Sequence, residues 1–352
     1  MKIIEKYANV FSFYRAKQSL IIIIRDEAKK EQDAYILGLG KKMRTKSLWH
    51  FGDYVYDMRT DKFLVYDAEF NHLFDLNKKG INAGNSSLLY IDDTTLILYQ
   101  SVWNNDDTIT SYLTYYENFK EKSTVEFCGK VLNNEYRLNL KNEEKYSNPT
   151  YFRVSNILDI HTYFEYQCKE SEEVFGDFIF YKDRLVFYTK EKLKETYNSD
   201  FWINVLDIKS GTELFKVKVE NIRACFDYEK GIFVAIKGIN QNNEIIKRYE
   251  IVDVNNGFID NGDFEYDGYM FAVGTAVQHL NEDKLYFADN VYSYEEQKRK
   301  APKIGCFDIK TKQILFFEEV EDAEGKSLNQ LIANDGIIYA KTNDNELYVL
   351  QQ

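Results

Sequence analysis

Short apolar runs alternate with polar turns along almost the whole chain, and the dominant period is two. The stretch Asp177–Asn221 carries the clearest copy: DFIFY, a tight turn at Lys182-Asp183, RLVFYTK, a charged loop EKLKETYNSD, FWINVLDI, a turn at Lys209-Ser210-Gly211, and TELFKVKV. Alternation over five to eight residues bounded by Asn, Asp and Gly predicts half-buried strands joined by tight hairpins. The same pair of strands recurs as VFSFYRA/SLIIIIR, YVYDM/KFLVYDA, SLLYI/TLILYQ, RACFDY/IFVAIKG, FAVGTAVQHL/KLYFADN and NQLIA/IIYAKT.

Five of these pairs are followed by a loop and two more strands. AYILGLG and SLWHF follow the first, and TSYLTYY and STVEF the third. WINVLDI and LFKVKV follow the fourth, YEIVDV and GFIDN the fifth, KIGCFDI and QILFFEEV the sixth. The predicted unit is a four-stranded antiparallel meander, and a self-similar period of about 40–50 residues is the mark of a β-propeller blade. No amphipathic helix competes with it. The fold class is therefore all-β, a single closed propeller domain spanning 1–352.

Turns near 18, 60, 93, 183, 230, 283 and 335 give seven blades. The interval from 93 to 183 is twice the others, so eight is the alternative. In that case a degenerate blade lies there, with VLNNEYRLNLK as its first pair and TYFRVSN and TYFEYQ as its outer strands. The last unit supplies only three strands, NQLIA, IIYAKT and ELYVLQQ, and KIIEKYA at the other end of the chain is predicted to complete it as the outer strand. That pairing removes an exposed sheet edge.

The segments VLDIKSGTELFKV, CFDIKTKQILFFEEV and YEIVDVNNGFI resemble the strand–Asp–turn–Gly–strand hairpin of PQQ-like (quinoprotein-like) and WD40/YVTN-like propellers. The resemblance covers most of the chain as a repeat. The tryptophan that follows each such turn in the family is replaced by Phe215 and Phe316, so the resemblance implies the architecture and no quinone cofactor.

Composition sharpens this in three ways. Aromatic residues make up 16% of the 352, with 28 Tyr and 25 Phe, which suits pleated, half-buried surfaces. A formal net charge of −12 disfavours nucleic-acid phosphates and anionic membranes, and permits a basic protein partner. Cys128, Cys168, Cys225 and Cys306 are far apart and form no C-x-x-C, which reads as free thiols in a reducing compartment. The longest aliphatic run, Leu20 to Ile24, is far below a membrane span, and the N-terminus lacks an uninterrupted apolar core, so a cytoplasmic location is expected.

Chemistry-bearing motifs are weak. Gly38 and Gly40 in ILGLGKK do not form a phosphate loop, because Tyr35 and Lys42 occupy the positions of its first glycine and its Ser/Thr. The carboxylates and amides of VDVNNGFIDNGDFEYDG are read as turn residues, since Phe258 stands where a Ca²⁺ loop needs glycine. His50, His72, His161 and His279 make no ligand spacing. No cofactor, metal or catalytic residue is assigned.

What distinguishes the chain is positional. The connections between second and third strands emerge on one face and are repeatedly long and polar: DEAKKEQD (26–33), SVWNNDDT (101–108), KEKLKETYNSD (190–200), GINQNNE (238–244) and NVYSYEEQKRKA (290–301). Aromatic anchors among acids suit protein recognition. The expected partner-binding residues are Trp103, Asp106, Asp107, Glu195, Tyr197, Tyr292, Tyr294, Glu295 and Glu296. The reading is a non-enzymatic protein-binding propeller, of the inhibitor or immunity type, that neutralises a basic effector or toxin. The alternatives are an enzyme or ligand binder with a site at the central channel, and a scaffold subunit.

Overall fold

The computed structural model describes the chain except for residues 17–18, 27, 29–30, 38–40, 46–47, 52–53, 58–63, 68–72, 76–86, 92–93, 105–108, 128–129, 134, 142–147, 158–160, 193–199, 221–223, 242–243, 266–276, 291, 294–296 and 335. For the strand residues at 14–16, 19, 31–32, 34, 36–37, those between 41 and 91, and 103, 109, 141, 239–241, 244–245 and 292–293, only the backbone is described.

Among the described residues there are eight four-stranded sheets, seven of them with neighbours in chain order and the eighth joining the first strand of the chain to the last, and one two-stranded ribbon. The first sheet comprises Val10–Ala16, Ser19–Asp26, Glu31–Leu37 and Lys41–Thr45, and the second Leu48–Phe51, Tyr54–Asp57, Leu64–Asp67 and Leu73–Asp75. The third holds Ser87–Ile91, Thr95–Trp103, Ile109–Glu117 and Lys120–Glu126, and the fourth Lys130–Val131, Tyr136–Lys141, Tyr151–Asn156 and Thr162–Gln167. The fifth holds Glu172–Tyr181, Arg184–Glu191, Phe201–Asp207 and Glu213–Val219, and the sixth Cys225–Asp227, Ile232–Gln241, Glu244–Asp253 and Ile259–Asp263. The seventh is built from Val277–Asn281, Lys284–Asp289, Lys303–Asp308 and Gln313–Glu319. The eighth is Leu328–Asn334, Ile337–Thr342, Leu347–Gln351 and, from the start of the chain, Lys2–Tyr7.

The all-β, four-stranded antiparallel unit expected from the sequence is thus the unit observed. The sheet count is eight where seven blades were expected. The extra sheet is the fourth, made of the strands named above as the degenerate alternative. Its first strand is only two residues long, which is why it leaves so little mark in the pattern. A second correction concerns the first two sheets. SLWHF is expected as the outer strand of the first unit, but Leu48–Phe51 opens the second sheet, and the outer strand of the first is Lys41–Thr45. KKMRT has one apolar residue in five, so an outer strand that polar reads as loop.

Lys2–Tyr7 pairs antiparallel with Leu347–Gln351, from Lys2↔Gln351 to Tyr7↔Leu347, as expected. Main-chain and side-chain contacts lock it. Val10 N donates to Asn345 O at 2.8 Å, Lys6 Nζ lies 2.9 Å from Glu346 Oε2, and the Met1 ammonium pairs with Glu318.

The chain divides into two compact units. One consists of Met1–Tyr14, Ile23–Arg25 and Val219–Gln352, and contains the sixth to eighth sheets; the other consists of Arg15–Ile22 and Asp26–Lys218, and contains the second to fifth. Within each, apolar residues at alternate strand positions pack sheet face on sheet face. In the larger unit Leu138, Phe152, Val154 and Phe164 of the fourth sheet meet Val174, Phe178, Leu185, Phe187 and Leu206 of the fifth. In the other, Val234, Ile236 and Ile251 of the sixth meet Leu285, Phe287 and Phe307 of the seventh. Burying such a side chain is worth about 1.5–3 kcal/mol, so these layers are what holds neighbouring sheets together.

The repeated Asp turn has a local cause. Asp207 Oδ1 accepts from the main-chain N–H of Lys209 at 3.1 Å and of Ser210 at 2.8 Å, and the Gly211 N–H returns to Asp207 O at 2.9 Å. Asp253 and Asp308 cap the equivalent turns through Asn255 N at 2.7 Å and Thr311 N at 2.8 Å. Gly211 has φ +69° and lies under the Phe164 ring, so a side chain there would clash as well as strain.

Candidate functional site

Parts of the connections between second and third strands, expected from the sequence as loops, are paired strand among the described residues. In the sixth sheet the hairpin Ile232–Gln241/Glu244–Asp253 stays paired out to Gln241↔Glu244. The flanking strands stop earlier. Cys225–Asp227 reaches only Val234, and the fourth strand ends at Arg248, with one further bond from Phe264 N to Lys247 O at 2.9 Å. Among the described residues, the pairs Ile239↔Ile246, Asn240↔Ile245 and Gln241↔Glu244 therefore extend beyond both flanking strands, by roughly 10 Å at the usual rise per residue.

The third sheet does the same. Its hairpin pairs to Val102↔Thr110 and Trp103↔Ile109, past the described pairing of both neighbours, which ends at Tyr99 on one side and, with Phe127 N donating to Ser111 O at 2.8 Å, just beyond Tyr112 on the other. In the seventh sheet the connection contains a small ribbon, Tyr292↔Arg299 and Ser293↔Lys298. In the fifth, Glu191 N donates to Asp200 O at 3.1 Å, one step past the paired strands. These arms looked like loops because a hairpin that projects from its sheet needs no apolar face.

The arm of the sixth sheet is braced at its base. Lys237 and Arg248 are directly opposite, an unfavourable pairing of like charges. Glu220 resolves it, with carboxylate oxygens 3.1 Å from Lys237 Nζ and 3.4 Å from Arg248, while Asp263 takes Arg248 Nε at 2.9 Å. Burial pushes the Glu220 carboxyl up, but Lys237 and Arg248 outweigh it and hold the group below its ordinary value. Glu250, itself buried, accepts the Glu220 N–H at 3.0 Å.

At the same end of the fifth sheet, Lys216 is paired with Glu172 at 2.5 Å and sits 5.1 Å above the Trp202 ring. Lys190 pairs with Glu173 at 3.0 Å and lies 5.2 Å from the Phe175 ring. Asn148 Nδ2 donates to Glu173 at 2.7 Å. Trp202 is thus part of a structural ion-pair layer. Neighbouring Cys168 is buried, which pushes its thiol up to about 11; burial does the same for Cys225 (about 11) and Cys306 (about 12). A thiol of that kind is a poor nucleophile at neutral pH.

Of the nine expected partner-binding residues, Trp103 ends the second strand of the third sheet opposite Ile109, and Tyr292 begins the ribbon of the seventh opposite Arg299. Asp106, Asp107, Glu195, Tyr197, Tyr294, Glu295 and Glu296 lie outside the described residues. Among the four histidines, His279 Nδ1 accepts the Ala333 N–H at 3.1 Å, and His161 stacks edge-on with Tyr163 at 5.4 Å. Among the described residues no group of three or more His, Cys, Asp and Glu is placed to hold a metal ion, and no helix is long and apolar enough to cross a membrane.

The opposite, short-turn end of the sixth sheet carries two residues not among the expected ones, Tyr228 and Phe258, each 64% exposed. The signal was present in the repeat itself. Phe258 follows Gly257 in the Asp turn, at the position held by Thr212 and Gln313 in the fifth and seventh sheets.

No family model matches the chain, and no curated protein matches it in sequence. Among solved structures, it is similar to BamB from Moraxella catarrhalis at 9% identity, covering 100% of this chain and 99% of that one with a TM-score of 0.49. It is also similar to the computationally designed Ika8 protein (11% identity, 99% and 98% covered, TM-score 0.48) and to apo AztD from Citrobacter koseri (10%, 90% and 87%, 0.48). At this level of likeness nothing about activity carries over.

Proposed function

We propose that this chain is a non-enzymatic, protein-binding β-propeller that engages its partner through the hairpin arms between second and third strands. In this reading the sheets close into a single domain of residues 1–352, acting in the cytoplasm as an inhibitor or immunity-type protein against a basic effector or toxin. Neither nucleic acid nor membrane is a partner. The observation that carries the reading is the set of projecting arms. A paired ribbon that extends past its sheet adds nothing to the core, yet the third and sixth sheets both build one. The arms present strand-forming residues on a rigid base, which lowers the ordering cost of binding. The net charge of −12 supplies steering toward a cationic surface.

The test is capture of a partner at low and high salt by the wild-type chain and by a variant with Asp106, Asp107, Glu295 and Glu296 reversed to Lys. The expected result is one stoichiometric basic protein, retained at low salt, weakened by salt and lost from the variant. Absence of any stable partner, or binding indifferent to the reversal, counts against the reading.

A further inference from the structure

The Asp turn at the short-turn end of the sixth sheet departs from its sister turns. The three Asp turns superimpose in sequence as DIKSGT, DVNNGF and DIKTKQ, so the position after the tight turn holds Thr212, Phe258 and Gln313. Two polar residues show what the scaffold needs there, and the sixth sheet has an aromatic ring instead. The turn between first and second strands is two residues in the fifth and seventh sheets, closed by Tyr181↔Arg184 and Asn281↔Lys284; in the sixth it runs through four, 228–231, the same spacing as between Ile91 and Leu96 of the third, and carries Tyr228. Single exposed apolar residues are ordinary, but two rings, each 64% exposed and one of them in place of a polar residue of the repeat, are not required by packing.

Both rings are held on fixed backbone. Phe258 N donates to Asn256 Oδ1 at 2.8 Å, and Phe258 O accepts the Asp253 N–H at 2.9 Å. Asp227 Oδ1 accepts from Glu229 N and Lys230 N at 2.8 and 3.0 Å, and the Tyr228 ring stands edge-on to Phe226 at 4.9 Å. The two turns are tied together by Asn255 Nδ2 donating to Lys230 O at 2.8 Å and Val254 N to Gly231 O at 2.9 Å.

The surroundings are acidic. Asp227, Glu229, Asp253, Asp260, Glu282, Asp283 and Asp308 belong to this end of the sixth and seventh sheets, against Lys230, Lys284, Lys310 and Lys312. Three of the four lysines are bound to an acid of the group: Lys230 to Asp283 at 2.8 Å, Lys310 to Asp283 at 2.5 Å and Lys312 to Asp260 at 2.7 Å. Exposed aromatic faces in a negative field favour cations, and guanidinium groups above all. We propose that the turn end of the sixth sheet docks an arginine-rich segment of a partner polypeptide across Tyr228 and Phe258. This surface is separate from the hairpin arms and stands or falls independently of them.

The probe is a fluorescein-labelled oligo-arginine peptide titrated into the full chain at low salt and followed by anisotropy, with the amide resonances assigned. The comparison is the double variant Tyr228→Ser, Phe258→Thr, which keeps the net charge and uses the sister turn's own residue at 258. The wild type is expected to bind with shifts centred on 227–231 and 253–258, and the variant to bind at least about fivefold more weakly, as for loss of two exposed cation–π contacts. An identical melting curve for the variant excludes unfolding as the cause. Equal affinity for the variant, no binding of oligo-arginine, equal binding of an uncharged aromatic peptide, or shifts confined to the hairpin arms would each overturn the proposal.

Discussion

Single residues do two kinds of work among the described residues: they organise turns and they fill cores. Asp207, Asp253 and Asp308 organise turns by accepting main-chain N–H groups, and the carboxyls of Asp207 and Asp308 are held below their ordinary range by those bonds. The described cysteines fill cores. Burial raises all three thiols, so we predict that Cys168, Cys225 and Cys306 resist iodoacetamide at pH 8 in the native protein and react fully once it is unfolded. Peptide mapping by mass spectrometry checks this, and rapid native labelling at any of the three contradicts it. The free-thiol role was legible from strand-like surroundings such as RACFDY and IGCFDI. Phe258 was not, because an exposed aromatic carries the same letter as a core one, and only comparison with Thr212 and Gln313 reveals that the position is polar elsewhere.

At the scale of elements, the apolar half of the pattern was the readable half. Inner and middle strands such as Arg184–Glu191, Phe201–Asp207 and Lys303–Asp308 alternate or run apolar because both faces are covered, and their turns are marked by Asp and Gly. Polar strands were misread. Lys41–Thr45 has one apolar residue in five, so nothing in its composition separates it from a loop. The arm of the sixth sheet depends on Glu220 to reconcile Lys237 with Arg248. Because its folded-state value is lowered, the stabilisation it gives is complete above the ordinary glutamate range and is lost as pH falls through the depressed value. We predict that Glu220→Gln raises amide exchange in 237–248 at pH 7 by several-fold, and that the wild-type arm exchanges faster on acidification below about pH 4 while the variant changes little. Equal protection in the two proteins at pH 7 contradicts this.

For the whole molecule, the repeat gives a series of four-stranded sheets, and the register of Lys2–Tyr7 against Leu347–Gln351 joins the two ends of the chain in the eighth. Leu347, Tyr348, Val349 and Leu350 are buried beside that strand. Deleting Met1–Ala8 strips their cover and leaves an unpaired edge, so the melting temperature is expected to fall by roughly 5–10 °C or more. An unchanged melting curve would remove the case for a closed domain. The number of four-stranded sheets was the least legible global feature, because the two-residue strand Lys130–Val131 hid one sheet inside a long interval. The central claim is that the hairpin arms form the partner-binding face, and hydrogen–deuterium exchange of the chain with and without its captured partner tests it most directly. The account predicts new protection at 101–111 and 238–247 with the outer strands unchanged. Protection confined to the outer strands or to the short-turn end, with the arms exchanging as in the free chain, would contradict it.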